Sequence, residues 1–166
     1  GNVEFDHADI YEDVEALRTT FRRFLGLVPA NGRILLGADD DEALALRAYA
    51  KAPTETFGLN PESNWRAVDV DYGANATKFK VLHNDSVVGD MNLPLLGAFN
   101  VRNALAAVAV SDAMEICPAR SAEALADFEG VRRRLELRGI AGDISVYDDF
   151  AHHPTAVRET LAALRV

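Results

Sequence analysis

Three short stretches of this chain concentrate side chains that can hold a metal, hydrogen-bond a base or meet phosphate. In NVEFDHADIY, Asn2 to Tyr11, Asp6 and Asp9 flank His7 at a strand-to-helix junction. An imidazole nitrogen and carboxylate oxygens at the C-terminal end of a strand can hold a divalent metal against phosphate, because open α/β sheets bind ligands there. The same string also fits a plainer role, with Asp9 as a helix cap and His7 as a hydrogen-bonded surface residue. In LLGAFNVRNALAA, Leu95 to Ala107, Asn100 and Asn103 share one face at the start of a helix. A carboxamide offers both donor and acceptor, as an adenine edge requires, and capping alone is the alternative. In GVRRRLELRG, Gly130 to Gly139, three arginines lead into a strand, so alternate guanidiniums point to opposite faces and at least one can turn towards a phosphate. In VYDDFAHHPTAV, Val146 to Val157, Asp148, Asp149, His152 and His153 cluster on a loop before a helix that opens at Pro154-Thr155. So many ionisable groups on one connection point to function, against the alternative of a surface salt-bridge patch with a capped helix.

The elements that must carry these residues follow from periodicity. Asp9 and Glu12 are spaced as a cap and its reciprocal partner. Val14, Leu17, Phe21, Phe24, Leu25 and Val28 then recur at helical spacing, predicting a helix over about 10–27 that Pro29 and Gly32 end. Ile34, Leu35 and Leu36 between two glycines read as a strand buried on both faces, and Asp40 to Ala50 returns to helical composition. Helix, strand and helix in succession favour a parallel α/β sheet. From Thr54 to Leu96 the character turns to β, with strands over Trp65–Tyr72 and Thr77–His83 and an Asn84-Asp85 turn into Val87 and Val88; antiparallel pairing is expected there. Asn100–Ile116 and Ser121–Phe128 read as helices, and Arg132–Gly139 and Ile144–Tyr147 as strands. Starting at a strand end and stopping in mid-helix at Leu164-Arg165-Val166, the chain is expected to be a piece of a longer one.

Composition excludes some classes of partner. A net charge of −9 leaves no broad basic face for nucleic acid or an anionic membrane, so an anionic ligand must be met by local charge. No apolar run is long enough to span a bilayer, the start is acidic rather than signal-like, and the single Cys117 fits a reducing compartment, so the expected location is the cytoplasm.

NVEFDHADIY, GAFNVRNALAA, FEGVRRRLELRG and YDDFAHHPTA occur in the order and approximate spacing of the Mur ligases, and the resemblance spans nearly the whole chain. FDHADIY, RRRLELRG and DDFAHHPTA lean towards the murein-peptide-recycling branch over the branch that adds L-alanine to UDP-N-acetylmuramate. The resemblance implies an α/β fold, with residues 1–129 part of the central ATP-binding domain and residues 130–166 the beginning of a Rossmann-like, peptide-receiving C-terminal domain. It implies ATP and Mg²⁺, with UDP-N-acetylmuramate and a cell-wall peptide as small-molecule partners. In such ligases ATP phosphorylates the muramyl carboxylate and the peptide amine displaces phosphate to form an amide, and the resemblance implies the same here.

Carried over residue by residue, His7 matches the magnesium-ligating His, Asn100 and Asn103 the adenine-contacting pair, and Arg134 the Arg that reaches the phosphates. Asp149 matches the ribose-binding Asp, and His152 stands where that loop approaches the phosphates, with Arg133 a second candidate for the role of Arg134. Phe99 replaces the family His before the first Asn, Phe21 sits near the position of the carbamoylated Lys of other branches, and the chain contains no Gly-x-x-x-x-Gly-Lys-Ser/Thr loop, so this piece alone is not expected to turn over. Two other classes compete: a nucleotide-binding scaffold that has lost catalysis, and a metal-dependent phosphohydrolase built on Asp6, His7, Asp9, Asp148 and Asp149.

Overall fold

The computed structural model describes residues 1–6 and 8–165. Its first helix starts later than the sequence predicts. α1 (Val14–Leu25) is capped by the Asp13 carboxylate, which accepts the Ala16 N–H at 2.8 Å and so satisfies one of the free donors of the first turn. Asp9 lies in a turn ahead of the helix. Leu17 and Leu25 are buried, whereas Phe24, placed on the apolar stripe by spacing, is exposed. β1 (Ile34–Gly37) is buried as expected, and Asp40 then caps a short α2 (Asp41–Ala45), taking the Ala43 N–H at 2.7 Å, before a 3-10 turn over Leu46–Tyr49.

β2 (Thr54–Gly58) pairs in parallel with β1, from Ile34 opposite Thr54 to Gly37 opposite Phe57. β3 (Trp65–Tyr72), β4 (Thr77–His83) and β5 (Ser86–Leu93) complete one five-stranded sheet in chain order. The antiparallel pairing expected from Thr54 onward begins only between β3 and β4. β3 starts beside the end of β2 and runs parallel to it over just Phe57–Trp65 and Gly58–Arg66, which a short connection permits. The β4–β5 hairpin turns at Asn84 and Asp85, both with positive φ, as a tight hairpin requires.

α3 (Ala98–Ala113) lays Val101, Ala104, Leu105 and Val108 on the sheet face made by Phe57, Trp65, Phe79, Val81, Met91 and Leu93. On the opposite face, Val3, Leu17, Leu25, Ile34, Leu36, Ala43 and Leu46 form a second cluster. The successive residues of β1 therefore serve two cores, Leu35 one and its neighbours the other. α4 (Pro118–Ala126) opens on its proline and lies along β5.

The arginine stretch corrects the sequence reading. Arg132 and Arg133 lie in a turn, Arg133 and Leu135 have φ of 58° and 51°, and the strand β6 begins only at Glu136 (Glu136–Ala141), so the left-handed backbone replaces the expected alternation of faces. β6 pairs with β7 (Ile144–Asp148) in a hairpin separate from the main sheet. α5 (Pro154–Ala163) ends before the last residues and touches α3. Residues 1–6 form no regular element; they lie at the C-terminal end of β1, where the Val3 N–H donates to Asp40 at 3.2 Å. Among the described residues no helix is long and apolar enough to cross a membrane.

Candidate functional site

A cleft of about 1090 Å³ opens where residues 1–6, the end of β1, the start of α3, the arginine turn and α5 come together. Asn100, Asn103, Arg134 and Asp149, far apart in the chain, all line it, and so do Asp6 and Phe99. His7 lies outside the described residues. His152 is not brought in. It is exposed, with Nδ1 3.0 Å from the Phe150 carbonyl oxygen, and the adjacent His153 lines the cleft instead. His153 occupies the N-cap position of α5, so its side chain faces residues 1–6 while its neighbour points away.

Neither asparagine caps α3. Gly97 is the N-cap, at a φ of 88° that favours glycine, and an added methyl there would stand 2.5 Å from Ala163 Cβ on α5. The Asn100 amide donates to the Leu96 carbonyl at 2.9 Å, and its oxygen stands 3.5 Å from Asn103 Nδ2. The second Asn103 amide hydrogen and its oxygen therefore remain available to a ligand edge.

Arg134 points a charge at the cleft with no ion pair or side-chain hydrogen bond among the described residues. Arg133 is spent elsewhere, its guanidinium 4.8 Å over the Phe150 ring and 3.8 Å from Asp148. Asp149 accepts from two backbone groups at once, Leu135 N–H and Ala151 N–H, each at 2.7 Å. Among the described residues no three His, Cys, Asp or Glu side chains converge on one point.

Two polar links cross the cleft that sequence reasoning missed. Arg102 on α3 pairs with Glu159 on α5 at 2.6 Å. Glu4, inside the first motif, accepts the Thr155 hydroxyl at 2.6 Å and lies 3.3 Å from His153 Nδ1, with Asn2 also donating to it. Opposite charges on Arg102 and Glu159 are visible in the sequence, but nothing marks residues so far apart as partners.

The Thr155 hydroxyl chiefly, with Asn2, His153 and Arg158 adding to it against partial burial, holds the Glu4 carboxyl below the ordinary glutamate value. A depressed folded pKa stabilises the folded state fully above the unfolded value and is lost as pH falls through the folded one. Glu4→Gln is therefore expected to cost about 1 kcal/mol at neutral pH. Urea titrations across pH should show the gap between the two proteins closing as the medium turns more acidic than an ordinary glutamate, and a gap constant with pH would contradict the charged link.

A model of the Mur ligase middle domain matches residues 1–111. The chain belongs to the Mur ligase family. It is similar to the Mur ligase of Desulforapulum autotrophicum named UDP-N-acetylmuramate–L-alanine ligase, with 38% identity over 164 residues, 99% of this chain and 36% of that protein. It is equally similar to the UDP-N-acetylmuramate–L-alanyl-γ-D-glutamyl-meso-2,6-diaminoheptandioate ligase of Escherichia coli, 38% identical over 167 residues and covering 99% of this chain and 35% of that one. Among solved Mur ligases, the UDP-N-acetylmuramate-alanine ligase of Thermotoga maritima superposes with a TM-score of 0.81 at 26% identity, over 99% of this chain and 36% of that chain. The chain thus spans about a third of the length of the curated Mur ligases it matches.

Proposed function

We propose that this chain is part of an ATP-dependent ligase that joins a cell-wall peptide to UDP-N-acetylmuramate in peptidoglycan recycling. One observation carries the nucleotide reading: carboxamides from α3 and a guanidinium from beyond Gly130 line a single cleft. Its volume lies at the upper end of ligand pockets, enough for a nucleoside triphosphate. Asn100 and Asn103 would hold the adenine edge, beside the Phe99 ring, and Arg134 the phosphates. Magnesium would be held by His7, next to the cleft-lining Asp6, and would neutralise charge on the transferred phosphoryl group.

Those positions support a division of labour. Residues 1–129 act as the nucleotide-holding part and residues 130–166 as the start of the peptide-receiving part, with Gly130, at a φ of 87°, as the joint. The Arg102–Glu159 and Glu4–Thr155 links keep the two parts together while Arg134 faces developing charge. Phosphorylation of the muramyl carboxylate replaces a hydroxide leaving group with phosphate, which the peptide amine can displace.

The two curated relatives at equal identity also favour a second reading, addition of L-alanine to the same nucleotide sugar. Supplying the full-length protein with UDP-N-acetylmuramate, Mg-ATP and either tripeptide or L-alanine separates them. ADP and phosphate released with an amide product only when tripeptide is present is the expected result. Turnover with L-alanine and not tripeptide would replace the recycling reading with the second, and no turnover with either would favour the scaffold.

A further inference from the structure

Asp149 makes contacts that a ribose-binding role alone does not require. Both oxygens of Asp149 accept backbone N–H groups at 2.7 Å, and each keeps a further lone pair for a ribose hydroxyl. One of those groups, Leu135 N–H, belongs to the arginine turn, and the other, Ala151 N–H, to the loop that carries Asp149. The two segments are further joined by Phe150 N–H donating to the Arg133 carbonyl at 2.8 Å. Glu136 closes the turn from its other side, accepting the Arg133 N–H at 2.9 Å.

The turn needs such holding. Arg133 and Leu135 both occupy the left-handed region, which costs a non-glycine residue on the order of 1 kcal/mol or more and persists only where surrounding contacts enforce it. Arg134 sits between those two residues. Among the described residues its side chain has no partner to orient it, so its aim into the cleft is set by the backbone on either side. We propose that Asp149 is a positioning residue that clamps the arginine turn and thereby fixes Arg134 in the cleft.

This rests on the nucleotide reading of the cleft, and the test separates the two. In the full-length protein, Asp149→Asn keeps the shape of the side chain while replacing one acceptor oxygen with a donor, which opposes an N–H. Misplacing a charge-stabilising group by an ångström can cost roughly a hundredfold in rate, so kcat should fall by about that factor while KM for ATP moves little. In an Arg134→Ala background the same substitution should cost almost nothing more, because groups acting as one unit are not additive. Hydrogen exchange of the peptide covering Val131 to Ala151 should speed up in Asp149→Asn and stay unchanged in Arg134→Ala.

Glu136→Gln, a substitution at a partly exposed side chain, should loosen the same turn and lower kcat in the same direction, which keeps the test usable if Asp149→Asn fails to fold. A rise in KM for ATP at constant kcat, abolished when 2′- or 3′-deoxy-ATP replaces ATP, would assign Asp149 to the ribose alone and overturn the proposal. Unchanged exchange in both variants, or faster exchange with full kcat, would also overturn it. A wild-type protein with no turnover would refute the nucleotide reading alone, and the exchange data would still decide whether the clamp exists.

Discussion

Replacing Arg134 with alanine in the full-length protein is expected to lower turnover by roughly a thousandfold or more, the loss seen when a phosphate-contacting arginine is removed from a phosphoryl-transfer site. ATP affinity should change far less. Arg134 is exposed at the cleft wall and unpaired among the described residues, so its contact with a resting triphosphate competes with water, and its largest contribution comes when charge develops in transfer. Arg133→Ala is the control, because its guanidinium is already occupied by the Phe150 ring and Asp148. Steady-state kinetics alongside direct nucleotide binding would read both variants. A loss in binding equal to the loss in rate for Arg134→Ala, or an equally large rate loss for Arg133→Ala, would contradict this assignment.

The second large effect concerns the core. Trp65 has no solvent exposure, stacks on His83 with centroids 3.8 Å apart, and donates its indole N–H to Glu55 at 2.7 Å. Trp65→Ala should therefore cost about 3–5 kcal/mol, the usual range for deleting a buried large aromatic, and that is a substantial part of a domain's whole stability. Trp65→Phe keeps most of the ring but leaves Glu55 without its indole donor, so its cost should be smaller, about 1–3 kcal/mol. Denaturant unfolding of both variants checks the order. If phenylalanine costs as much as alanine, the hydrogen bond to Glu55 outweighs the packing, and the sheet is held together differently from this description.

Much of this arrangement was legible in the sequence, because local signals and tertiary packing agree over most of the chain. Ile34 to Leu36 between two glycines is a buried strand both by pattern and in space, and the small residues of α3 pack closely as their composition implies. The misreadings share a cause, a local rule overridden by a contact the sequence cannot display. Asp9 satisfied the spacing of a cap, but Asp13 holds the free N–H. The three arginines resembled the start of a strand, but Asp149 and Glu136 draw the backbone into a left-handed turn that spacing does not reveal. For the site, residue types suggested Asn100 and Asn103 and the family resemblance singled out Arg134 and Asp149, and all four line one cleft, while the choice between His152 and His153 depended on which side chain meets Glu4. Glu4 itself stood inside a quoted motif, yet its partner Thr155 is at the far end of the chain.

The central claim is that one nucleotide is held from both sides of the cleft, and a structure of the full-length protein with a non-hydrolysable ATP analogue and magnesium tests it directly. The expected result places the adenine edge on Asn100 and Asn103 and a phosphate oxygen within hydrogen-bond distance of the Arg134 guanidinium, about 2.7–3.2 Å. An analogue bound elsewhere, or held on the α3 side alone with Arg134 turned away from the phosphates, would contradict it.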